Sequence, residues 1–166
     1  MRVALLSAEY PPLPGGVGDY TEQLGQVLVA QGQHVVVFTI YDFGFTIYDL
    51  GASDRNPQIV HRTSSWGWGV WRDVLAALSA TQPDILHIQY QTGAYAMHPA
   101  INFLPWRLAR LRSRPRVAVT AHDLLPPYLF PKAGPLRGWV TRRLLADADA
   151  VVVTNQADYQ EVGRWG

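Results

Sequence analysis

Six short runs of apolar, mostly β-branched residues punctuate the chain, and longer stretches with helical spacing separate them. The runs are Val3 to Ser7, Val35 to Ile40, Ile59 to His61, Ile85 to Gln89, Val117 to Ala121 and Ala150 to Thr154. Several are apolar at almost every position, the pattern of strands covered on both faces. Between the first two, Tyr20, Leu24, Val27 and Leu28 recur at helical spacing over Val17 to Gln31, and Gly32 stands where a helix stop belongs. Further helices are predicted over Val70 to Ala80, ahead of Pro83, and within Pro99 to Arg112, where Pro105 marks a first turn or a kink. Two more fall at about Leu136 to Ala146, opened by Pro135, and at Gln156 to Val162.

Strand and helix alternating in this way predict an α/β fold. It is a doubly wound, mostly parallel sheet with helices on both faces, Rossmann-like, formed by one domain over residues 1–166. Ligands of such sheets sit beyond the carboxyl ends of the strands, so the loops that follow strands are where chemistry is expected. One feature interrupts the pattern. Phe38 to Gly44 (FTIYDFG) is followed at once by Phe45 to Gly51 (FTIYDLG), a local tandem duplication. Two copies are too few for a repeat architecture. The first continues the second strand, and the second is expected in a loop or an added hairpin.

Composition narrows the function classes. With 48% hydrophobic and 16% charged residues and a net charge of +1, the chain reads as globular, with no global attraction to nucleic acid. It has no cysteine, which excludes disulfides and thiolate metal sites. No apolar run approaches the roughly 18 residues of a membrane span. The opening MRVALLSAEYPP reads as a first strand and not as a signal peptide, so a cytoplasmic location is expected. Thirteen of the 14 basic residues are arginine, and five lie between Arg107 and Arg116, mixed with Trp106, Leu108 and Leu111. A solvated helix face explains that run, and so does a basic patch meeting an anionic acceptor or the inner face of a membrane.

Three loops carry candidate chemistry. After the first strand, EYPPLPGGVGDY places Gly15 and Gly16 before a helix whose free N–H groups suit a phosphate or another anion. A plain glycine turn is the alternative. Gly16 and Gly18 also open a dinucleotide fingerprint, with Asp42 as its ribose acid, but Thr21 holds the third glycine's place and the glycines begin too far beyond the strand. After the fourth strand come Gln89, Tyr90, Tyr95 and His98, uncharged hydrogen-bonding and aromatic groups that suit a hydroxyl-rich ligand. His87, inside that strand, reads as a satisfied core histidine. After the fifth strand His122 and Asp123 stand where the sheet rule favours chemistry, although adjacent side chains on an extended chain point apart. No metal-ligand spacing, G-x-S-x-G elbow or P-loop lysine is present.

In order and spacing, the segments PPLPGGVGDYTEQLGQVLVAQGQHVVVFT, DILHIQY, VAVTAHDLLP and LLADADAVVVTNQADYQEV resemble the N-terminal domain of glycosyltransferase family 4, of the GT-B fold. The resemblance implies a nucleotide-sugar-dependent transferase acting with retention on a polysaccharide, glycolipid or small-molecule acceptor. It implicates Gly15 and Gly16, with Gly18 and Tyr20 beside them, near the donor phosphate and the acceptor. His122 is implicated near the transferred sugar, as the catalytic residue. Gln89, Tyr90, Tyr95 and Asp123 are the further binding candidates. The donor nucleotide is a substrate; no cofactor or metal is expected. In that family the donor belongs to a C-terminal domain that these 166 residues do not contain, so the isolated domain is expected to be inactive. Two other readings stand beside this one: a dinucleotide-dependent oxidoreductase or epimerase domain, and a non-catalytic α/β module that binds a sugar or a partner. The Trp66, Trp68 and Trp71 cluster is expected in the core or against the missing half.

Overall fold

A computed structural model describes residues 1–41, 44–49, 58–61, 66–124 and 135–165. The elements are β1 (Arg2–Ser7), α1 (Gly16–Ala30), β2 (His34–Tyr41), β3 (Gly44–Asp49), β4 (Gln58–His61), α2 (Val70–Thr81) and β5 (Ile85–Tyr90). They continue with a 3-10 turn (Ile101–Phe103), α3 (Leu104–Leu108), β6 (Arg116–Ala121), α4 (Pro135–Ala146), β7 (Ala150–Val153) and α5 (Gln156–Gly163). The sheet order is β4-β3-β2-β1-β5-β6-β7. Its five strands from β2 to β7 pair in parallel, and β3 and β4 add an antiparallel edge.

Alternation along β1 divides the interior in two. Val3 and Leu5, with Val35 and Val37 of β2, face Leu24, Leu28 and Val29 of α1. Ala4 and Leu6 face the other way, with Phe38, Leu86, Ile88 and Val119, under Val74 of α2, Leu104 of α3 and Leu144 of α4. Side chains of neighbouring positions point to opposite faces of a strand, so a strand buried on both must be apolar throughout. The chain thus leaves β1 over one face and leaves β5 and β6 over the other. β1 and β5 are neighbours in the sheet, so the change of direction falls between them. A crevice opens above such a switch point.

The element ends follow local chemistry. Beyond α1, Gly32 adopts φ 77°, the left-handed conformation glycine reaches without a Cβ penalty. Its N–H donates to the Val29 carbonyl (2.9 Å) and that of Gln33 to Leu28 (3.0 Å), a Schellman closure that satisfies carbonyls the helix leaves open. α2 ends on Gln82, also left-handed, ahead of Pro83. Pro105 opens α3 in its first turn, and the kink alternative does not arise. Asn155 caps α5 by accepting from the Asp158 N–H at 2.9 Å. The strand read at Ile59 to His61 is antiparallel β4, at the sheet edge.

The duplicated heptads meet each other. β2 and β3 pair with Phe38 opposite Ile47, Thr39 opposite Thr46 and Ile40 opposite Phe45. The second copy is therefore the added hairpin and not a loop: a duplicated strand sequence inherits the strand preference of the first copy and finds it as its nearest edge. Asp42 lies outside the described residues.

The α2, α3 and α4 side of the sheet carries most of the core. Ile88→Ala, at a fully buried position, is expected to lower unfolding free energy by about 2–5 kcal/mol in urea titrations, through lost apolar transfer and the cavity left behind.

Candidate functional site

The carboxyl ends of β1, β5 and β6 bring three loops together at the switch point. The first, residues 8–15, joins β1 to α1 and ends on Gly15, with Gly16 opening the helix. Gly18 needs to be glycine for space: a Cβ there would lie 3.1 Å from the backbone carbonyl carbon of Glu9 and the amide nitrogen of Tyr10. A Cβ on Gly15 would run into the Glu9 carboxylate, whereas one on Gly16 would meet nothing within 4 Å. The N–H groups of Gly16, Val17 and Gly18 have no intrahelical partner, as in any first turn. They could hold a phosphate oxygen, but the Glu9 carboxylate already stands beside Gly15, in the positive field of the helix end. Asp19 adds a second acidic side chain in that turn.

His122 directly follows β6. Its backbone N–H donates to the Tyr90 carbonyl (2.8 Å), which continues the β5–β6 ladder one residue past the strand. The ring is half-buried. Its Nε2 lies 3.1 Å from Gln89 Oε1, and the Tyr20 ring meets it edge-on, centroids 4.9 Å apart at 79°. With Gln89 Oε1 accepting, Nε2 carries the proton and Nδ1 is left as the acceptor. Gln89 Nε2 is buried with no partner; reversing the amide only moves the orphan to the oxygen. Burial lowers the His122 pKa, and the charge of Asp123 works in the opposite direction, so the imidazole is neutral at pH 7.

On the same sheet face His87 Nε2 lies 2.8 Å from Thr120 Oγ1. Burial, and secondarily the charge of His122, lowers its pKa to about 4. It is a satisfied, partly buried histidine.

Asp123 turns away from His122. Its Oδ1 accepts from the Thr92 N–H (3.3 Å) and from Thr92 Oγ1 (3.1 Å). Thr92 Oγ1 also lies 3.0 Å from Tyr90 Oη, which accepts from Asn102 Nδ2 at 2.9 Å. With the Thr92 hydroxyl proton on Asp123, Tyr90 donates to Thr92, and each member of the chain has a distinct role. This network ties the loop after β5 to the loop after β6. Tyr90 and Tyr95 are fully buried. Tyr95 Oη donates to the Leu6 carbonyl (3.1 Å). Both brace the site from below and present no surface to a ligand. The structure therefore gathers Gly15, Gly16, Tyr20 and His122 around one crevice, and places the buried Gly18, Gln89, Tyr90 and Tyr95, with Asp123, in its support.

Glu9, Thr92 and Asn102 are additional. Glu9 was findable, since it stands two residues past β1, where the sheet rule directs attention. Nothing in the sequence distinguishes Thr92 or Asn102 from ordinary loop residues.

The arginine run leaves from the far end of α3, at the opposite edge of the sheet. Arg110 lies over the Trp106 ring at 3.5 Å. Arg114 makes a bidentate pair with Asp149, which also accepts from the Val117 N–H. A cavity of about 520 Å³ opens at that edge too, lined in part by Leu75, Ser79, Leu111 and Arg116. Strand direction and the orphaned Gln89 Nε2 favour the carboxyl edge over this cavity. Among the described residues no three His, Asp or Glu side chains gather where they could hold a metal, and no helix is long and apolar enough to cross a membrane.

A parallel five-stranded core flanked by helices on both faces is a Rossmann-like α/β domain. The chain belongs to the glycosyl transferase 4-like domain family, whose profile matches residues 15–166. Among solved structures it is similar to the catalytic domain of starch synthase IV from Arabidopsis thaliana bound to ADP and acarbose. That match has 17% identity and a TM-score of 0.50, over 74% of this chain and 34% of the other. The chain thus spans about a third of that protein. It also matches the pseudo-receiver domain of the CikA protein at 14% identity and a TM-score of 0.42, over 99% of this chain and 94% of that one. No curated protein matches the sequence. For the dinucleotide reading, Gly16 and Gly18 fall inside the first turn of α1, with residues 8–15 between them and β1, and the tight turn of that fingerprint is missing.

Two outcomes follow. Gly18→Ala should lower the melting temperature by pressing on the Glu9–Tyr10 backbone, while Gly16→Val should leave it within a degree or so and weaken ligand binding; equal melting losses for both would contradict the packing described. His87 binds its proton more weakly folded than unfolded, so its contribution is full above about pH 6.5 and is lost as pH falls through about 4. Urea midpoints should decline over that window, and His87→Gln should flatten the decline.

Proposed function

We propose that this chain is the acceptor-side, N-terminal domain of a retaining, nucleotide-sugar-dependent glycosyltransferase. It works with a second, donor-binding domain and is inactive alone. The observation that carries the proposal is His122, neutral, oriented by Gln89 and set beside the glycine loop. Membership in the glycosyl transferase 4-like family supports it.

The chemistry follows from the groups present. A neutral imidazole with a free Nδ1 accepts a hydrogen bond from a sugar hydroxyl and fixes that sugar against the loop. The Glu9 carboxylate accepts from a second hydroxyl, and an acceptor held between the two is oriented for attack at the sugar's anomeric carbon. As the bond from that carbon to the diphosphate lengthens, charge builds on the departing phosphate oxygen, which takes the proton of the attacking hydroxyl as the new glycosidic bond forms. With Glu9 already standing in the positive field of the α1 N-terminus, the donor-binding domain offsets that charge. Positioning accounts for most of what this half contributes.

The test uses the protein with both domains and a panel of nucleotide sugars, following nucleoside diphosphate release. His122→Ala should reduce kcat by about 10²-fold or more, and His122→Gln should recover part of that loss. Turnover unchanged by either variant, or no nucleotide sugar accepted, would overturn the proposal.

A further inference from the structure

Three aromatic side chains line the carboxyl edge beside the crevice. Trp68, in the turn before α2, is 52% exposed, and Trp139, near the start of α4, is 50% exposed. Phe103 stands between them, its ring centroid 6.2 Å from Trp68 and 5.8 Å from Trp139. Two half-exposed indoles joined by a third ring form a contiguous apolar surface.

Trp68 is held on two sides. Trp68 packs edge-on against Trp71 (5.0 Å, 81°) and His98 (5.4 Å, 80°). The Trp71 indole N–H donates to the Ala100 carbonyl at 2.8 Å, and His98 Nδ1 accepts from the Ala100 N–H at 3.1 Å. Both rings are thus tied to Ala100, in the loop after β5. Two residues before Trp68, Trp66 is buried edge-on against Tyr95 at 4.6 Å, and Tyr95 is tied to Leu6 of β1. The Trp68 end of the strip is thus packed next to the elements that form the crevice. The tryptophan cluster therefore divides: Trp66 is core, Trp71 is half-buried, and Trp68 faces outward.

We propose that the strip is a saccharide platform, so that the acceptor is a chain of several sugar units whose reacting end enters the crevice while the rest lies across Trp68, Phe103 and Trp139. This rests on the glycosyltransferase reading. A pyranose offers a C–H face to an aromatic ring and keeps its hydroxyls in water, which suits half-exposed rings spaced on the scale of one sugar unit. Rings already held in position lose little freedom on binding. An anionic bilayer fits less well: the arginine run lies at the opposite edge, and Arg72, beside Trp71, is paired with Asp73 at 3.2 Å.

The test titrates this chain with gluco- and chito-oligosaccharides graded from monosaccharide to hexasaccharide, read by tryptophan fluorescence and calorimetry. Affinity should rise with chain length in at least one series. Trp68→Ala and Trp139→Ala should each remove about tenfold of the gain from length, while Trp68→Phe keeps most of it and circular dichroism stays unchanged. No length dependence, or length dependence indifferent to both alanine variants, would overturn the platform. So would binding to phosphatidylglycerol vesicles with no oligosaccharide bound. If length dependence is absent but the two-domain protein still transfers sugar in a His122-dependent way, the platform alone fails; if transfer is absent too, both readings fail.

Discussion

The parallel pairing of β1 with β5 is the constraint on which the rest depends. Val3 to Ser7 lie in register with Ile85 to Gln89, although some 80 residues of chain separate the two strands. α1 covers one face of the sheet, and α2, α3 and α4 cover the other. The two strands therefore send their connections to opposite sides, and neither loop closes over the gap above the pair. Glu9, the glycines, Gln89 and His122 are brought together by that geometry; apart from their strands they have no reason to meet. Shifting the β1–β5 register by one residue would turn Leu6 and Leu86 to the wrong face and break up the site in the same step.

Much of the fold was legible because its signals are local. Runs such as VAVTA can be buried on both faces only as strands, and Gly32 and Pro105 act through backbone geometry that needs no tertiary context. The duplicated heptads were legible only as a pair of alternatives. Whether the second copy forms a hairpin depends on a free edge beside β2, and that is a property of the assembled sheet.

The site was legible in its position more than in its roles. His122 and the glycine loop follow from strand order, since both come directly after strands. Tyr90 and Tyr95 come from the same stretch of sequence, but a residue's direction is set by strand parity and by what the loop folds onto. Tyr90 shares its face with Leu86 and Ile88, so it points into the core while Gln89 reaches His122. Asp123 is adjacent to His122 in sequence and bonded to Thr92 in space. Glu9 changes the character of the helix end: a carboxylate rests against the glycine that was to receive phosphate. The crevice is consequently built from neutral and acidic groups, better matched to hydroxyls than to a bare anion.

On the proposed function, the crevice above β1 and β5, and not the cavity at the opposite edge, receives the sugar. Amide chemical-shift mapping of the labelled chain, with and without an oligosaccharide that binds it, tests this most directly. Shifts should cluster on Gly16, Gly18, Gln89 and His122 and extend to the Trp68 indole. Shifts confined to Ser79, Leu111 and Arg116, with the carboxyl edge silent, would contradict it.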